Sequence, residues 1–279
     1  MKTKGYEKVI LTVILCALVV VFLTPVFFIL MNSFKGKLFI SDNPFAWPAG
    51  DMFVGLENYT EGIRKTGFFA AFGWSAFITV ASVLVIVLFT SMTAWYITRV
   101  KTKLNNALYY VFVFSMVVPF QMIMFTMSKL ADMLHLNNPL GMVVLYLGFG
   151  AGLSVFMFCG FVKGIPYEIE EAAMIDGCSP VQIFFQIVMP VLKPTAITVA
   201  ILNAMWIWND YLLPYLVIGV STPYKTIPVA VQYLMGSYGA KDYGSLMALL
   251  VLAIVPIIVF YLFCQKYIIE GVVAGAVKG

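Results

Sequence analysis

Ile165–Pro194 reads IPYEIEEAAMIDGCSPVQIFFQIVMPVLKP, the one long polar interruption in the second half of an otherwise apolar chain. Pro166 suits the first turn of a helix, and Glu168, Glu170 and Glu171 complement its positive N-terminal end. Gly177 can adopt the left-handed conformation that stops it, giving a helix of roughly ten residues, about 15 Å long. Ser179-Pro180-Val181-Gln182 then has the form of a capping box with Pro at the first helical position. A second helix is expected through Phe184, Phe185 and Ile187 to Pro190. Two short helices therefore meet at Gly177, in a stretch too short and too charged to span a bilayer.

The flanking chain belongs in lipid. Of 279 residues 62% are hydrophobic and 11% charged, less than half the charged share of a soluble domain. A membrane helix needs about 20 apolar residues, and six candidates meet that need: about 9–31, 70–98, 107–128, 139–162, 195–219 and 245–265. The predicted fold is an all-α membrane protein with six transmembrane helices. Its first part, residues 1–69, is the first span plus an outer loop, and residues 70–279 form the core that contains the polar stretch. The first span follows Lys2, Lys4 and Lys8 but is too long for a signal-peptide core and lacks a small-residue cleavage site.

Orientation follows from the basic N-terminus and from Arg99, Lys101 and Lys103 in a short loop without acids, since basic short loops stay inside. Both termini are then cytoplasmic, as is Ile165–Pro194. Its Ala172, Ala173, Met174 and Ile175 form an apolar patch, but four acids and no base lie between Glu168 and Asp176. That charge disfavours anionic lipid and favours a protein partner.

In the first outer loop, Asn58-Tyr59-Thr60 has the form of a glycosylation acceptor, a pattern short enough to arise by chance. Pro119 beside Gln121 predicts a kink in span three, and Gln121 either packs or lines a path. Gly148 and Gly152 form a small-xxx-small pair that invites a neighbouring helix. In span five, Asn203, Trp206 and Asp210 fall on one helical face, with Asn209 beside them. A carboxylate in the bilayer is costly, so Asp210 should face a bundle interior or wet cavity. Amide, carboxylate and ring suit a polyhydroxylated ligand; an interhelical hydrogen bond would use the same residues.

Other chemistry is missing from the sequence. There is no Gly-x-x-x-x-Gly-Lys-Ser/Thr loop to cradle nucleotide phosphates, no Ser/His/Asp set and no metal-ligand cluster. His135, the single histidine, has no role assigned. The scattered net charge of +4 offers no nucleic-acid footprint. The residues describe a protein that moves or holds something and is not itself an enzyme.

Glu171-Ala172-Ala173, three residues, Gly177, nine residues, Ile187, one residue and Met189-Pro190 resemble the EAA loop of the membrane subunits of ATP-binding-cassette importers, with Met189 where Leu is usual. Asn32-Ser33-Phe34-Lys35, Leu56-Glu57-Asn58-Tyr59, Trp208-Asn209-Asp210 and Gly275–Gly279 extend the likeness to permeases of maltose-type carbohydrate importers. The resemblance implies that the helix before Gly177 is a coupling helix between spans four and five, docking on an ATPase through Glu171, Ala172, Ala173, Asp176, Gly177, Ile187 and Pro190. It also implies a second homologous permease, two cytoplasmic ATPase subunits holding ATP and Mg, an external sugar-binding protein, and no cofactor on this chain. Gln121, Asn203, Trp206, Asn209 and Asp210 are the candidates for the sugar path. Two alternatives remain at this stage: a permease of the same class for a polyol or phosphate ester, and a proton-coupled secondary transporter using Asp210.

Overall fold

The computed structural model describes residues 5–220, 222–235 and 242–276, with side chains described through Tyr267. The tail residues 277–279 of the sequence signature lie outside that range. Regular structure among the described residues is helical, apart from an isolated antiparallel bridge between Lys35 and Phe53.

In chain order the helices are α1 (Gly5–Asn32), α2 (Lys37–Asp42), α3 (Glu57–Thr66), α4 (Phe68–Arg99), α5 (Lys103–Ser115), α6 (Phe120–Met133), α7 (Pro139–Val162) and α8 (Tyr167–Ile175). They continue as α9 (Pro180–Ile183), α10 (Met189–Asn209), α11 (Leu212–Pro214), α12 (Ile227–Gln232) and α13 (Tyr243–Ala276). Among the described residues, five helical runs are long and apolar enough to cross a membrane, and a sixth crossing is available if α5 and α6 together make one. Contacts divide the chain into two compact units, residues 1–69 with 230–258 and residues 70–229 with 259–279.

In the first unit, the turn after α1 is built from the two signature segments of the outer loop. Asn58 donates its amide to the carbonyls of Ser33 and Lys35, at 2.8 Å each, and the Tyr59 and Ser33 hydroxyls pair at 2.7 Å. Asn58 is buried and committed as a donor, so the acceptor-like triplet is a packing element and no glycosylation site. Lys35 is fully buried, with Nζ donating to the carbonyls of Asn43 (2.9 Å) and Pro44 (3.3 Å); burial pushes its pKa down. Farther on, α3 lies against the start of α13: a Cβ on Gly62 would stand 3.1 Å from Leu249, and one on Gly244 would strike the Asn58 side chain. Lys65 bridges Glu61 at 2.7 Å and Asp242 at 2.6 Å.

The second unit is centred on α7, whose Met142, Tyr146, Val155, Phe158, Cys159 and Val162 are buried. Two of its glycines allow close crossing. A Cβ on Gly150 would fall 2.7 Å from Ile86 of α4 and from Asn203 of α10, and one on Gly152 would fall 2.8 Å from the Phe112 carbonyl of α5. Gly148, expected to share this task, faces open space; the approach uses positions 150 and 152.

Three expectations need correction. The third span is no kinked helix: α5 and α6 meet at 107°, because Met116 and Val117 close the end of α5 with three-residue bonds and Pro119 starts α6 afresh in an extended conformation. The helix after Ser179 does not end at Pro190 but runs to Asn209. A π-turn over Phe184–Val188 explains this, since the Met189 N–H reaches the Phe184 carbonyl five residues back and the register shifts just before the proline. Consequently the fifth span is Pro180–Asn209 and not 195–219, and Asp210 caps its end.

Candidate functional site

The helix α8 stands where the sequence expected one, with Pro166 in the flanking N-cap position and Glu168 and Glu170 in its first turn. Its end is a Schellman motif. Gly177 adopts φ +83°, its N–H reaches the Met174 carbonyl at 3.1 Å, and the Cys178 N–H reaches the Ala173 carbonyl at 2.9 Å. The expected capping box follows: Ser179 Oγ accepts from the Gln182 N–H, and the Gln182 side-chain oxygen accepts from the Ser179 N–H at 2.7 Å.

The acids of α8 divide between two tasks. Glu170 is 0% exposed and takes hydrogen bonds from Trp95 Nε1 (2.9 Å), Arg99 Nε (2.9 Å) and a terminal Arg99 nitrogen (2.6 Å). Arg99 also donates to the Ile165 carbonyl at 2.9 Å and lies over the Tyr167 ring at 5.5 Å. The end of α4 thus grips the start of α8 at four points. Sequence reasoning missed this latch, and the one available signal was a basic residue at the end of a span facing a doubled glutamate.

Of the residues singled out in the loop, Glu171, Ala172, Asp176, Gly177 and Pro190 are exposed, Ile187 is half-buried and Ala173 is buried beneath α8. Met174 and Ile175 are also exposed, at 47% and 86%. The outer face of α8 therefore offers apolar and small residues edged by Glu171 and Asp176, on a helix fixed from behind.

Three of the five path candidates gather on α7. Asn203 is buried and donates to Ser154 Oγ (3.2 Å) and to the Val199 carbonyl (2.9 Å). Asp210 accepts the Tyr146 hydroxyl at 3.0 Å and, through its other oxygen, the Leu212 N–H at 3.0 Å. Trp206 meets Tyr146 edge to face at 5.5 Å. These contacts are interhelical or local. Asn209 is exposed and bonded to its own helix at the Met205 carbonyl (2.7 Å); Gln121 is exposed in the first turn of α6.

Residues 86–273 match the family described as binding-protein-dependent transport system inner membrane component, a span holding α7, the Glu170 latch and the whole α8–α10 stretch. The chain belongs to that family. Among its relatives is the probable starch degradation products transport system permease protein AmyC of Thermoanaerobacterium thermosulfurigenes, 40% identical over 278 residues and covering 100% of both chains. The multiple sugar-binding transport system permease protein MsmG of Streptococcus mutans is 34% identical over 93% of each. The fold also matches a chain of a bacterial ABC transporter involved in import of the acidic polysaccharide alginate, with TM-score 0.78 and 19% identity, covering 96% of this chain and 98% of that one. As an inner-membrane component of this family, the protein is a multi-pass transport subunit and not an enzyme.

Proposed function

We propose that this permease is half of the translocation path of an ATP-driven sugar importer, taking oligosaccharides from an external binding protein. The observation that carries the proposal is α8: a short helix latched from behind by Arg99, closed by Gly177, and presenting Glu171, Ala172 and Asp176 outward. Such an element is built to be pressed by another protein. It would seat in a cytoplasmic ATPase subunit, with Ala172 allowing close approach, Glu171 and Asp176 meeting basic or polar groups, Ala173 and Ile187 supporting the face from within, and Pro190 adding to the exposed surface.

The orientation belongs to the same reading. Arg99, Lys101 and Lys103 support an orientation with α8 and both termini inside, and six crossings would count the bent α5–α6 pair as one. ATP and Mg would reside on the two ATPase subunits, with a second permease completing the path. The sugar assignment is supported by relatives whose names specify starch degradation products, multiple sugars and arabinooligosaccharides. Asp210 is spoken for by Tyr146 and Leu212, which argues against a proton-carrying role.

Glu171→Lys and Gly177→Asp test the proposal. Uptake of labelled oligosaccharide and permease-stimulated ATP hydrolysis should both fall while membrane insertion persists. Undiminished transport in both variants would refute the coupling role of α8.

A further inference from the structure

A cavity of about 730 Å³ opens between the end of α4, the start of α5 and the end of α7. Arg99, Lys101, Lys103 and Lys163 line it, together with Asn106 and Tyr109, and no carboxylate does among the described residues. Glu170 neutralises Arg99 from behind, which leaves three lysines facing the space. Lys163 Nζ is held over the Tyr109 ring at 5.5 Å, so one cation is fixed by the wall itself. The cavity sits where membrane-length helices end, at the level of lipid headgroups.

The surface beside it is apolar. Tyr110, which lines the cavity, and Phe114 one turn farther follow Lys103 along the same face of α5 and are 62% and 67% exposed. A cationic cup next to an apolar strip matches a molecule with a phosphate at one end and hydrocarbon at the other. Basic pockets between membrane helices hold such headgroups, each Lys or Arg contributing about 1 kcal/mol.

We infer that this cavity is a binding site for an anionic phospholipid, with its phosphate among Lys101, Lys103 and Lys163 and its acyl chains along Tyr110 and Phe114. Because Arg99 both lines the cavity and grips Glu170, a bound headgroup would draw on the same guanidinium that positions α8. Lipid composition thereby gains a route to the loop.

The three lysines are exposed, so neutral substitutions leave the fold intact. The test is native mass spectrometry of the full assembled complex in detergent, titrated with phosphatidylglycerol, phosphatidylcholine or inorganic phosphate. The wild type should retain phosphatidylglycerol over phosphatidylcholine. Lys101→Gln, Lys103→Gln and Lys163→Gln should each weaken retention roughly fivefold, and the triple variant on the order of a hundredfold. Lys37→Gln, a charge change outside the cavity, should leave retention unchanged. Equal retention by the triple variant would overturn the site. Occupancy by inorganic phosphate with no preference for lipid would overturn the lipid as its source. Carbodiimide cross-linking of Lys101 or Lys103 to a carboxylate of another subunit would replace the lipid with a protein occupant.

Discussion

Glu170 and Glu171 are neighbours in sequence with opposite environments, and the difference is measurable. Glu170→Ala leaves Arg99 without its buried partner, a loss of about 3–5 kcal/mol for an interaction of this kind; the purified complex should melt earlier and less protein should reach the membrane. Glu171→Ala should leave the melting temperature unchanged and reduce uptake alone. The resemblance pointed to Glu171 by its place in a spacing pattern, whereas Glu170 stood out only as one of three acids near the start of the helix. Consecutive residues on a helix point about 100° apart, and which one faces inward is decided by Arg99 and Trp95, some seventy positions away. At the other end of the fifth span, Asp210→Asn keeps an oxygen for the Tyr146 hydroxyl, so it should scarcely change stability, whereas Tyr146→Phe should cost about 1 kcal/mol. A change in sugar affinity with Asp210→Asn at constant stability would instead assign the residue to the substrate path.

The turn between α8 and α9 was fully legible, because its signals are local: Gly177 at a left-handed position and Ser179 with Gln182 at a capping box. Open space surrounds the Gly177 Cα, so a substitution there meets only backbone strain. Gly177→Val should cost about 1–2 kcal/mol, and Gly177→Asn less, since Asn tolerates this conformation. Uptake should rank Gly above Asn above Val; equal uptake by all three would mean that the turn geometry does not matter to transport. The ends of the fifth span and the bend in the third were not legible. A hydropathy window registers composition and is blind to direction, so the apolar run 107–128 looked like one helix although α5 and α6 meet at 107°. Likewise Pro190 and Pro194 looked like barriers, and the π-turn that carries the helix past the first is a backbone register shift with no side-chain signature.

Across the molecule, the apolar character of the long helices was readable because lipid imposes one demand on all of them, while the grouping of residues 230–258 with the N-terminal segment depends on contacts between distant parts of the chain. Within that unit, Lys65 and Asp242 link α3 to the start of α13, and their titration sets the pH range of the link. Partial burial opposes the Asp242 charge, but hydrogen bonds from Lys65 and Ser245 outweigh it and hold the pKa below the usual carboxylate value; the same bond to Asp242, with that to Glu61, raises Lys65. Asp242 therefore stabilises the unit above an unfolded pKa of about 3.9 and loses this as pH falls through its lower folded value, while Lys65 stabilises it below about 10.4 and loses this as pH rises through its higher folded value. The pair is partly exposed and worth no more than about 1 kcal/mol. Asp242→Asn should lower the melting temperature slightly at neutral pH, with the gap to wild type closing in strong acid. In the other unit, the uninterrupted run Pro180–Asn209 begins beside Gly177 and ends at Asp210, thirty residues later. At a rise of about 1.5 Å per residue it behaves as a lever arm about 45 Å long, and a tilt of about 5° at the loop would swing its far tip by about 4 Å. A slight tilt at one end of the helix is then amplified into a displacement wider than a water molecule at the other.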